Sequence, residues 1–347
     1  MRRIPPILLA LAALSGLSAP GLWAAGPEPR VLVVIGAEGA EEYLPRFQKA
    51  ASLWKDAALA AGATHETIGM EPATGDETDR ERLEKRLGEL AAEEKAGPLW
   101  LVLIGHGTFD GRAAKFNLRG PDFTDAELAG WLRGFPGRVA AINTASASGT
   151  FVKALSGPDR VVVTATKSPA EVNYARFGEF FAEAIHGKAE ADLDNDDQVS
   201  LLEAYLFAAD RVRGFYEKEG RLATEHAQLD DTGDGFGTRP EGFEGVLAWE
   251  LAREGAEPDG ELAHQFILVP NAFERRLTAA QRERRDTLER EVKALNRRRA
   301  ELGDDAYYDQ VEPLLVEIAK IYDTVKDPGP APTAPPAEGK PAETKTP

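Results

Sequence analysis

Two side chains suited to acyl transfer stand at the ends of two apolar runs. Leu101 to Ile104 stops at Gly105-His106-Gly107, and Val139 to Ile142 runs into Asn143-Thr144-Ala145-Ser146-Ala147-Ser148-Gly149. An imidazole serves as general base, and a small hydroxyl as nucleophile, when a fold brings them within hydrogen-bond reach. His106 and Ser146 are the candidates for that dyad. The chain has no cysteine, so the nucleophile must be an oxygen. A serine hydroxyl is far less acidic than a thiol and needs a well-oriented base, normally with a third group fixing the imidazole. The carboxylate nearest in sequence is Asp110, on a glycine-containing loop. The same residues also have a plain structural reading. Gly-His-Gly can be a turn with a hydrogen-bonded imidazole, and the small residues around Ser146 can let a helix start close to a sheet.

A second pattern is acidic. Asp192 to Glu203 places Asp192, Asp194 and Asp196 at the first, third and fifth positions of a twelve-residue loop, with Gln198, Ser200 and Glu203 at the seventh, ninth and twelfth. Oxygen ligands at this spacing are those of an EF-hand calcium loop, with Gln198 offering its backbone carbonyl and Glu203 a bidentate carboxylate. Asp197 takes the sixth position, where glycine usually makes the sharp turn; aspartate can adopt positive φ at modest cost. The competing reading is a solvated acidic helix start. A further candidate begins at Asp230, with Asp234 fifth and Glu241 twelfth. There glycine holds the sixth position, but Gly237 replaces the apolar eighth residue and Pro240 opposes an exit helix. A calcium loop and an ordinary acidic turn remain open for it.

These residues need a scaffold, and hydrophobic period supplies its outline. Strand runs are expected at Val31 to Ile35, His65 to Ile68, Leu99 to Ile104, Val139 to Ile142 and Val161 to Thr164. Helices are expected at Tyr43 to Ala61, Arg80 to Glu94, Thr124 to Leu132, Phe177 to Ile185 and Leu201 to Glu217. Thr124 with Glu127 three residues on is a capping box. Alternating strands and helices imply an α/β fold with a parallel sheet covered on both faces. Sites in such sheets lie at the carboxyl ends of the strands, where both His106 and Ser146 fall. Beyond Phe273 an Arg/Glu-rich apolar stripe breaks at Gly303-Asp304-Asp305. A second stripe runs from Tyr308 to Tyr322, with Pro313 expected to kink or restart it. A helical hairpin is the simplest reading, and a possible surface for self-association.

The strand-end residues resemble the caspase/legumain class of cysteine peptidases. In that class a His-Gly follows one sheet strand and an Ala-Cys follows the next. His106-Gly107 matches the first motif, and Ala145-Ser146 is similar to the second with serine in place of cysteine. Ala147-Ser148-Gly149-Thr150 resembles the segment after the legumain cysteine. The resemblance covers Arg30 to Ala189. It implies a parallel-sheet sandwich, His106 as base or acid, the Gly107 and Ser146 amides as oxyanion donors, and Ser148 as a fallback nucleophile if the register slips by two. It also assigns the Thr164 to Ala175 loop to the specificity pocket. Arg176 could there meet an acidic group, or pair with Glu171 or Glu179 instead. Serine in that position should remove most activity.

Other folds fit less well. The Gly-x-Ser-x-Gly elbow of an α/β-hydrolase is absent around Ser146, and His226 and His264 have no triad context. Gly36 to Gly39 lacks the glycine spacing of a dinucleotide fold. The charge is also informative: 41 basic against 58 acidic side chains, net −17. That argues against a nucleic-acid partner and suits an exported protein, or one that collects cations. Met1-Arg2-Arg3, an apolar run to Leu17 and small residues up to Ala25 read as a secretory signal peptide, with an uncleaved anchor as the alternative. The resulting organisation is a signal peptide over 1–25, the α/β domain over 30–190, a calcium-binding extension over 191–270, a helical hairpin over 272–325 and a disordered Pro-rich tail over 326–347. A secreted or periplasmic location is expected, with no stable membrane span after cleavage. Three functions remain: a degenerate peptidase that binds a protein or peptide, a working hydrolase using His106 and Ser146, or a structural calcium-binding interaction protein.

Overall fold

The computed structural model describes residues 28–71 and 75–325. The expected signal peptide and Pro-rich tail lie outside the described residues. Among those described, no helix is long and apolar enough to cross a membrane.

The chain begins with β1 (Arg30–Ile35), α1 (Leu44–Ala61), β2 (Thr64–Ile68), α2 (Asp79–Ala91) and β3 (Leu99–Ile104). Three short strands follow, β4 (Gly107–Phe109), β5 (Ala114–Phe116) and β6 (Phe123–Thr124), then α3 (Asp125–Trp131) and β7 (Val139–Asn143). Next come α4 (Thr150–Leu155), β8 (Arg160–Thr164), α5 (Phe177–Ile185), α6 (Leu201–Lys218) and β9 (Gln228–Asp230). The remainder is β10 (Phe243–Glu244), β11 (Leu247–Ala248), α7 (Glu261–His264), α8 (Ala279–Arg297), α9 (Arg299–Leu302) and α10 (Asp304–Asp323).

The main sheet has six strands in the order β2-β1-β3-β7-β8-β9. All neighbours run parallel except β8 and β9. Side chains alternate between faces, as strand geometry requires. Val31, Val33, Ile35, Trp100 and Val102 pack with Trp54 of α1, Phe181 of α5 and Tyr205 of α6. Leu32, Val34, Leu101, Leu103 and Val162 pack with Leu83 of α2, Leu128 of α3 and Phe151 of α4. Both faces are therefore buried, which explains the continuous apolar runs.

The chain after β1 first adds β2 on one side, then crosses to add β3 on the other. This reversal makes a crevice outside the carboxyl ends of β1 and β3, the usual ligand position in open α/β sheets. His106 directly follows β3 there.

Thr124 caps α3 through the expected box with Glu127. The segment after His106, expected as a loop, contains the small antiparallel sheet β4-β5-β6. Gly107 pairs with Phe116, and buried Phe116 stacks on Phe123. Helix α10 runs through Pro313 rather than restarting there. Arg284 of α8 forks onto Glu317 of α10 at 2.7 and 2.8 Å, and Phe273 packs on Tyr322.

Candidate functional site

His106 sits half-buried at the switch point, among the rings of Tyr43, Phe47 and Tyr174. Its Nε2 lies 3.2 Å from the carbonyl oxygen of Glu38, on the loop after β1. A carbonyl only accepts, so Nε2 carries the proton and Nδ1 is the basic nitrogen. Burial lowers the His106 pKa below its ordinary value, and the Glu38 carbonyl offsets part of that fall. The imidazole is thus held neutral at pH 7. Tyr174 donates its hydroxyl to Glu179 at 2.8 Å, and burial, with Glu179 alongside, raises its pKa.

Ser146 is only 2% exposed. Its Oγ accepts the Gly107 N–H at 3.1 Å and donates to the Gly107 carbonyl at 3.1 Å. A hydroxyl has one proton, and here Gly107 takes it. Among the described residues no hydrogen bond joins the Ser146 and His106 side chains. The structure therefore brings Ser146 onto the residue after His106, with the hydroxyl turned to the backbone. The Gly107 amide, expected to bind an oxyanion, donates to that same hydroxyl. Ala147, the next residue, has φ of 52° and is buried. An alanine in the left-handed region stores strain; its N–H is held by the Glu171 carbonyl at 2.8 Å.

Ser148 is also buried, and its Oγ lies 3.1 Å from the Thr166 hydroxyl. The loop after β8 supplies this partner and also Glu171. The Glu171 carboxylate accepts from His226 Nδ1 at 2.6 Å and from the Lys167 N–H at 3.1 Å. Among the described residues no carboxylate braces His106 in this way. Nothing local in the sequence marks Glu171 and His226 as partners, because they are 55 residues apart. The Arg176 guanidinium pairs with neither Glu171 nor Glu179. It lies over the rings of Phe215 and Tyr174, 4.0 and 5.9 Å from their centroids.

The first acidic loop gathers carboxylate oxygens of Asp192, Asp194 and Asp196 within 4.8 Å of one another. The two Asp192 oxygens accept the N–H groups of Asp196 and Asp197, each at 3.1 Å. Asn195 and Asp197 take φ of 60° and 66°, so aspartate does make the turn usually given to glycine. Ser200 caps α6, and Glu203 completes the box while also accepting the Leu193 N–H at 2.7 Å. Gln198 accepts the Asn271 N–H through its side-chain oxygen, leaving its backbone carbonyl as the expected ligand. His264 donates to Asp194 at 3.0 Å. The donor set is all oxygen and anionic, which suits a hard divalent cation.

The second loop has a similar turn. Asp230 accepts the Gly233 and Gly235 N–H groups at 3.0 and 3.2 Å, and both glycines have positive φ, 79° and 80°. Its side chains, however, do not converge. Asp234 pairs with Arg253 at 3.2 Å, while Glu241 lines a cleft beside α6. Among the described residues, Asp230, Asp234 and Glu241 do not form a carboxylate set like the first.

No family model matches this sequence, and no curated protein matches it. Two solved caspase structures are similar to the chain. One is caspase-1 from Spodoptera frugiperda, 10% identical over 59% of this chain and 86% of that one, with a TM-score of 0.39. The other is the Drosophila initiator caspase Dronc, 12% identical over 58% of this chain and 79% of that one, with a TM-score of 0.36.

Proposed function

We propose that this is an exported, caspase/legumain-like peptidase homologue whose strand-end site does not perform acyl transfer and instead serves a calcium-stabilised module that binds a protein or peptide ligand. One observation carries the loss of chemistry. The Ser146 hydroxyl spends its proton on the Gly107 carbonyl and occupies the Gly107 amide. A nucleophilic serine instead needs its proton directed at a base and the oxyanion donors free. His106 supports the same reading, because its Nε2 proton faces the Glu38 carbonyl and, among the described residues, no carboxylate hydrogen-bonds the ring. The convergent oxygens of Asp192, Asp194 and Asp196 support calcium. The position of the crevice at the sheet's switch point supports ligand binding there.

The test is active-site labelling. The full chain, with calcium present, is treated with a fluorophosphonate probe. No adduct on Ser146 is expected. An adduct on Ser146 that disappears in His106→Ala would overturn the proposal and establish a working hydrolase.

A further inference from the structure

We propose that a cleft at the carboxyl edge of the sheet, beside β8 and α6, binds an organic cation, a guanidinium or primary ammonium on an apolar stem, with Glu225 as its counter-ion. The cleft has a volume of about 250 Å³. Ala165, Phe177, Val212, Leu222 and Ala223 give it apolar walls. Glu225 is the buried charge of the lining, only 3% exposed.

Glu225 receives three bonds, all from neutral donors. Its Oε1 accepts the Arg176 N–H at 3.0 Å and the Tyr216 hydroxyl at 3.3 Å, and its Oε2 accepts the Phe177 N–H at 3.0 Å. Among the described residues no lysine or arginine forms an ion pair with it. Arg176, whose charge is felt at Glu225, lays its guanidinium on the Phe215 ring instead. Oε2 keeps a lone pair for a further donor. The buried carboxylate is thus short of positive charge, and burial pushes its pKa up to about 6 against the pull of the amides. A buried carboxylate held only by neutral donors still bears a desolvation cost, and a cation entering the cleft supplies the missing counter-charge.

Capping the start of α5 explains the two amide bonds. It does not explain the open apolar volume beside an unpaired carboxylate. At the exposed rim, Arg213 is engaged by Asp210 and Arg221 adds one positive charge, outnumbered by the acidic lining of Glu217, Glu225 and Glu241. The apolar walls select a stem, and the carboxylate selects its charged end.

Neither His106 nor Ser146 lines this cleft, so the inference is independent of whether Ser146 reacts. It does border their loop. His226 lines the cleft, and its partner Glu171 holds Ala147, next to Ser146.

The experiment is calorimetric titration of the full chain with two guanidinium probes, butylguanidine and N-acetyl-arginine amide. Each is paired with a neutral isostere, butylurea and N-acetyl-citrulline amide. Binding of a guanidinium probe is expected, with the isostere weaker by about tenfold or more. Tighter binding of the arginine amide identifies a peptide side chain as the source, and tighter binding of butylguanidine a free ligand. Glu225→Gln is expected to lose binding to a similar degree. Because that change also touches the start of α5, Ala209→Phe serves as a second variant, filling the cleft from α6 without touching Glu225. It should abolish binding and keep the wild-type melting temperature. No binding of either cation, equal binding of a neutral isostere, or wild-type binding by either folded variant would overturn the proposal.

Discussion

Gly107 is where the two strand ends touch. A Cβ built there would stand 2.2 Å from the Ser146 carbonyl oxygen and 3.0 Å from the Lys115 carbonyl oxygen. Both are backbone atoms, so neither can rotate away. The glycine therefore serves three neighbours: the two backbone oxygens, and the Ser146 hydroxyl held by its amide and carbonyl. Gly107→Ala is expected to destabilise the protein by roughly 1–3 kcal/mol, as overpacking of a close contact does. Urea denaturation should show a lower midpoint with an unchanged slope. A midpoint equal to wild type would mean the two loops are not held together as described. His106 contributes less to this junction, since its contacts are rings and one carbonyl. At this scale the sequence marks the glycine and the small residues, but not the direction of the Ser146 hydroxyl. That direction depends on a backbone partner 39 residues away.

Elements that carry their own signal were legible, and elements made by distant contacts were not. Leu99–Ile104 and Phe177–Ile185 read with the bounds they have, because each is a dense apolar run. The α3 cap was legible because Thr124 and Glu127 interact over three residues. By contrast, β4, β5 and β6 span three, three and two residues, too short to show a period. They form because buried Phe116 and Phe123 stack on each other and join the apolar cluster on one face of the main sheet. β9 spans three residues and exists through pairing with β8. The acidic loop before α6 combines both cases. Its ligand spacing is local, while its anchoring through His264 and Asn271 is not. Within it Asp197 takes a conformation that the second loop gives to Gly235. Left-handed backbone costs a non-glycine residue about 1 kcal/mol. For the proposed calcium site, Asp197→Gly is expected to tighten binding several-fold, the relieved strain outweighing the loss of one exposed charge. The dependence of melting temperature on free calcium measures this. An unchanged midpoint in calcium would show that the sixth position does not limit the loop.

At the scale of the molecule, the part-buried Asp231 and the buried Asp259 tie the sheet to the C-terminal half. Asp231, just after β9, accepts the Gly260 and Ala263 N–H groups at 2.8 Å each, holding the start of α7. Asp259 accepts the Asp231 N–H at 3.1 Å and the Thr238 hydroxyl at 2.7 Å. Burial raises the pKa of both groups; the Asp231 charge adds to the rise at Asp259, and the Asp230 charge adds to the rise at both. A carboxyl group whose pKa is higher folded than unfolded binds protons preferentially in the folded state. Its stabilising effect is complete below the unfolded value of about 4 and is lost as pH rises through the raised folded value. His106 has the opposite sign: its lowered pKa removes stability as pH falls below about 6.5. Asp259→Asn isolates the carboxylate contribution, because His106 and Glu225 titrate alike in both proteins and cancel in the difference. Wild type is expected to lose stability relative to the variant as pH rises from 5 to about 8, whatever fixed amount the lost amide bond costs the variant. Urea unfolding of both proteins at three pH values across that range measures the difference. Parallel curves would show that the Asp231 and Asp259 pair does not hold its proton in the folded state, and that the link between sheet and C-terminal half is charged at neutral pH.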